Sequence, residues 1–146
     1  MLTLMFILTI LFNTQMIHTQ MAHTLNASLW IAQGLVAAVL ALAGAAKLAL
    51  SREKLAHRMH WAVAWPRWGV KLLGLAEVAG AVGLVAPRAT GIAPALTPIA
   101  ALCVAALMAG AVRTHRQLGE GFLPAVIVGA LCLGIAAGRL LPGAQA

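Results

Sequence analysis

Four stretches of the chain, 29–50, 69–86, 91–112 and 122–141, are almost unbroken runs of apolar residues. Crossing a hydrocarbon core of about 30 Å takes about 20 residues of α-helix, and each run approaches or reaches that length. The runs lack the alternation over about ten residues that a membrane β-barrel strand requires. Inside lipid every backbone amide must find its partner within the protein, so these runs predict helices. Their connections are 18, 4 and 9 residues long. Short links place consecutive helices side by side and antiparallel. The expected fold is all-α: an antiparallel bundle of four transmembrane helices.

The first connection carries a pattern of its own. Residues 51–68, SREKLAHRMHWAVAWPRW, open with Ser51 as a candidate N-cap and run to Pro66, before which a helix should end. Leu55, Met59 and Val63 recur every four residues beside a ridge of Trp61, Trp65 and Trp68. Trp favours the headgroup level, and Arg52, Lys54 and Arg58 can reach anionic lipid, so a short interfacial helix between the first and second spans is expected. The ridge has two readings, a membrane anchor and the roof of a lipid or quinone site.

Residues 1–28 differ from the bundle at 29–141. An apolar run of about 12, too short to span, is followed by Thr, Gln and His. No Lys or Arg precedes it and no small-residue cleavage site follows, which leaves three readings: a signal segment, an interfacial helix, or an upstream extension with Met21 as the start. Residues 142–146 form a short tail.

Composition narrows the class. The chain is 62% hydrophobic and 9% charged, where soluble domains average about 25% charged; its mean hydropathy is +0.95. Lipid bilayer is therefore the expected surroundings. The net charge of +7 does not point to nucleic acid, because the basic residues decorate the ends of apolar runs rather than a water-facing surface. Lys47, Arg52, Lys54, Arg58, Arg67, Lys71, Arg113 and Arg116 fall on one side and only Arg88 and Arg139 on the other. Basic residues stay in the cytoplasm, so the first and third connections are expected there and both termini outside.

Small residues recur at spacing four: Ala37, Ala41 and Ala45; Ala76 and Gly80; Ala101, Ala105 and Ala109; Ala130, Gly134 and Gly138. Such positions permit the close backbone approach that holds helices together in lipid, and they are the expected seams. Ionisable groups within a span are costly, which makes them the main pointers to a site. Lys47 lies near the end of the first span and Glu77 about 12 Å into the second from the same side, so an ion pair between neighbouring helices is within reach. The alternative is that Lys47 extends outward to the phosphates.

Other constellations are weak. His57 and His60 lack a third ligand nearby, so no metal site is expected. His115 stands between Arg113 and Arg116, just past the third span. Cys103 and Cys132 share a depth but form no C-x-x-C pair, and they read as buried small residues. Pro94 and Pro98 are expected to loosen the outer half of the third span, with Thr97 compensating. There is no phosphate loop, nucleophile triad or carboxylate pair. Whether the chain is an enzyme stays open, since it holds no self-contained catalytic motif and no evident cofactor motif.

ALAGAAKL at 41–48, LLGLAEVAGAVGLVAP at 72–87, GIAPALTPIAALCVAALMAGAVRTH at 91–115 and GE at 119–120 together resemble the DoxX-like membrane proteins, over about residues 27–141. The resemblance implies a small four-helix protein of the bacterial cytoplasmic membrane. Relatives are linked to a thiosulfate:quinone oxidoreductase and to a redox complex that handles thiol stress. By position, Lys47 and Glu77 match the family's basic residue near the end of helix 1 and its acidic residue in helix 2. The resemblance thus implies an accessory subunit or assembly factor of a quinone-linked or redox-protective system, with a redox protein or a second copy as partner and quinone as the ligand. The other class left open is a small-molecule or lipid transporter, or a membrane scaffold.

Overall fold

The computed structural model describes residues 1–58 and 61–141. Among the described residues the helices are, in order, α1 (Leu2–Ala49), α2 (Arg52–Arg58), α3 (Trp61–Ala64), α4 (Arg67–Thr90), α5 (Leu96–Gln117) and α6 (Leu123–Leu140). There is no strand among the described residues. α1, α4, α5 and α6 are each long and apolar enough to cross a membrane. α1 packs on α4 and α6, and α5 packs on the same two, so the four close into a ring. Val36, Leu84, Val104, Cys132 and Ile135 fill its centre. Most other large apolar side chains face outward, as expected where lipid is the solvent.

α1 is the least ordinary element. Its 48 residues rise about 72 Å, more than twice the hydrocarbon thickness. It passes from residue 28 to residue 29 without a break, so the polar positions that set 1–28 apart in sequence do not interrupt the helix. Thr9, Thr14, Thr19 and Thr24 each donate the side-chain hydroxyl to the carbonyl four residues back, at 2.8–2.9 Å, which satisfies these groups within the helix. At the other end Lys71 donates to the carbonyl of Leu48, covering an acceptor that the last turn of α1 leaves open. The tail at 142–146 lies outside the described residues.

The seams differ from the expected stripes. α1 and α4 approach most closely at Gly44 and Gly74, where a Cβ on Gly44 would stand 2.7 Å from the Gly74 carbonyl oxygen. Gly80 and Gly138 do lie at seams, against Val104 and Leu29. Ala45, Ala76, Ala109, Ala130 and Gly134, however, face outward. An Ala-rich helix presents small residues on every side, so spacing alone does not select the packed face.

The two prolines act differently from the expectation. α5 begins only at Leu96, so Pro94 lies before the helix and Pro98 in its first turn. No intrahelical donor is required there, and nothing is loosened. Thr97 compensates nothing: it is fully buried and its hydroxyl has no hydrogen-bond partner among the described residues.

Candidate functional site

The link between α1 and α4 is helical, as the pattern of 51–68 predicts: its described residues form α2 and α3. Residues 59–60, including His60 of the His57/His60 pair, lie outside the described residues. His57 itself is exposed on α2. Pro66 is extended at ψ 146° and starts α4 in a new direction, which divides the Trp ridge. Trp61 is buried and meets Trp65 edge to face, with ring centroids 6.1 Å apart. Trp68, in the first turn of α4, is 68% exposed and faces away.

Beneath Trp61 and Trp65 lies a largely apolar cavity of about 790 Å³. Leu40 and Met108, both part of the core, form its floor, and two polar pairs line its wall.

The first pair is Lys47 and Glu77. Lys47 Nζ donates to both carboxylate oxygens of Glu77, at 2.8 and 2.6 Å, and the residues are only 4% and 6% exposed. Helical side chains tilt toward the helix N-terminus. In an antiparallel pair, Lys47 therefore leans into the bundle while Glu77 leans toward the Lys47 end, and the two converge. The glycines one turn earlier clear the way. A Cβ on Gly74 would stand 3.0 Å from Lys47 Cβ, and one on Gly44 would stand 3.2 Å from Glu77 Cβ. Lys47 does not extend outward to the phosphates; its ammonium lies 5.7 Å from the Trp61 ring centroid, in cation–π range.

The second pair is His115 and Glu120, with Nδ1 and Oε2 2.8 Å apart. Local sequence builds it. Gly119 takes the left-handed conformation at φ 68°, ending α5 in a Schellman motif. Gly119 N–H donates to the Arg116 carbonyl at 3.3 Å, and Glu120 N–H donates back to the His115 carbonyl at 2.9 Å. The chain thus reverses over the last turn and sets Glu120 beside His115. The His115 ring meets Trp61 edge on, with centroids 6.5 Å apart, so Trp61 stands between the two pairs.

The opposite end of the bundle is closed by a polar clamp. Arg139, 2% exposed, donates from Nε to Gln33 and from a terminal guanidinium nitrogen to Asn26, both at 2.6 Å. Gln33 in turn donates to the Leu84 carbonyl, and the Arg139 guanidinium lies 5.2 Å from the Trp30 ring centroid. Three helices, α1, α4 and α6, are joined there.

A sequence model of the DoxX-like family matches residues 31–138, from within α1 to the end of the bundle. The chain belongs to the DoxX-like family. Comparison with curated proteins and with solved structures finds no match for it.

The matched span of this DoxX-like protein includes all four residues of the two polar pairs. Sequence reasoning named Lys47 and Glu77 but gave no role to His115 or Glu120. The available signal was the Gly119–Glu120 step after His115, since a glycine just past a helix end brings the next residue back over the last turn. Gln33, an amide inside an apolar run, and Arg139, near the end of another, are buried as well, and neither position shows this in the sequence. The cysteines divide as well: Cys132 is buried, whereas Cys103 faces outward.

Proposed function

We propose that this DoxX-like protein is a membrane subunit or assembly factor of a quinone-linked or redox-protective system of the bacterial cytoplasmic membrane. The cavity beneath Trp61 is its quinone site. One observation carries the reading: a single apolar space has aromatic rings on one side and a buried ion pair, Lys47–Glu77, within its wall. Its volume of about 790 Å³ falls within the roughly 300–1,000 Å³ typical of small-molecule sites. An apolar ring fits the aromatic and aliphatic lining, and a ring oxygen can accept a hydrogen bond from the ammonium of Lys47.

Two features support a binding site over a transport path. The core at Val36, Leu84 and Ile135 fills the bundle below the cavity floor, and the Arg139–Gln33–Asn26 clamp ties the far end. The excess of Lys and Arg at the Lys47 end supports a cavity at the cytoplasmic side with both termini outside.

The test is purification from native membranes in mild detergent, followed by mass spectrometry of bound small molecules and partner proteins. Quinone and a redox protein should accompany the wild type, and quinone should be absent from the Lys47→Met/Glu77→Leu double variant. A wild-type preparation that carries neither overturns the proposal.

A further inference from the structure

The two polar pairs on the cavity wall differ in what they offer a ligand. Lys47 has three N–H donors and no acceptor, and two of those donors are directed at Glu77. An oxygen between the pairs therefore meets a donor at this pole.

The His115 pole has the opposite character. With Glu120 as a carboxylate, which only accepts, the 2.8 Å bond is one that His115 Nδ1–H donates. In the neutral ring that tautomer puts the lone pair on Nε2, which makes it an acceptor. The ring's bond to Glu120 is made at Nδ1, not at Nε2. The Schellman motif of α5 brings Glu120 back beside the ring, and its carboxylate then holds the tautomer.

Resting on the quinone reading above, we infer that the site holds the hydroxyl-bearing, reduced form of the ring in preference to the oxidised form, with His115 as the residue that discriminates. A quinone carries carbonyl acceptors at both ends. It satisfies Lys47 but sets a carbonyl lone pair against the lone pair of Nε2. A quinol accepts from Lys47 through one hydroxyl oxygen and donates its other hydroxyl to Nε2. Trp61, in contact with both poles, bounds the ring between them.

The experiment is anaerobic isothermal titration of the full chain in detergent with 1,4-dihydroxynaphthalene, 1,4-naphthoquinone and 1,4-dimethoxynaphthalene, the last having the oxygens without the donors. The diol should bind the wild type about tenfold more tightly than either of the others, the equivalent of one hydrogen bond. His115→Phe should bring the ratio close to one through weaker diol binding. Glu120→Ala, which releases the tautomer without removing the ring, should narrow the ratio, and it decides the matter alone if the Phe variant does not fold. Equal affinity for diol and quinone in the wild type, or a ratio unchanged in the variants, overturns the inference and leaves the quinone site standing. Failure of all three compounds to bind the wild type overturns both.

Discussion

The Lys47–Glu77 pair permits the sharpest test of how this bundle is held together. Both groups are almost fully buried and joined at 2.6 and 2.8 Å, so removing either leaves its partner as an uncompensated charge away from water. Breaking a buried pair in this way costs about 3–5 kcal/mol, whereas replacing both members with apolar residues of similar volume is often neutral or stabilising. Lys47→Met and Glu77→Leu roughly conserve volume, which keeps cavity and overpacking effects small. Each single variant should lose about 3 kcal/mol. Lys47 lies two residues from the end of α1, so once Glu77 is gone it can extend toward the interface, and Glu77→Leu should be the milder of the two. The double variant should return to within about 1 kcal/mol of the wild type. Reversible unfolding in mixed micelles, titrated with a denaturing detergent and followed by circular dichroism, measures all four corners of the cycle. If the double variant loses the sum of the two single losses, the residues act independently and the ion-pair argument fails.

Other consequences follow from the same geometry. Gly74→Ala places a methyl 3.0 Å from the Gly44 carbonyl oxygen and from Lys47 Cβ, and should cost about 1–3 kcal/mol; Gly134→Ala, with no atom within 4 Å, should be close to neutral in the same unfolding assay. Gln33→Leu removes the acceptor for Arg139 Nε and the donor to the Leu84 carbonyl, so a loss of about 1–3 kcal/mol is expected for the stranded groups; wild-type stability would show that the clamp does not hold the far end. N-ethylmaleimide should add one label to the native protein in mild detergent, at the outward-facing Cys103, and a second at Cys132 only on unfolding. Equal labelling rates for the two thiols in the native state contradict the packing of α6.

The sequence alone settled that lipid surrounds this chain and that four helices cross it. Length and hydropathy fix that outcome, because a backbone in hydrocarbon has few ways to satisfy its own polar groups. It also placed Lys47 and Glu77 within reach of each other, since their depths follow from the rise per residue along two neighbouring helices.

Which faces meet was decided only in three dimensions. The spacing of small residues did not single out Gly44 and Gly74, for nearly every face of these helices is small or aliphatic. His115–Glu120 arises from the reversal of the chain at Gly119, and the Arg139 clamp joins residues more than a hundred positions apart. A periodic pattern records what a single helix exposes to its surroundings. Contacts between helices depend on their rotation about their own axes, and in a bilayer the apolar pattern carries little information about that rotation, because lipid and protein interior are equally apolar.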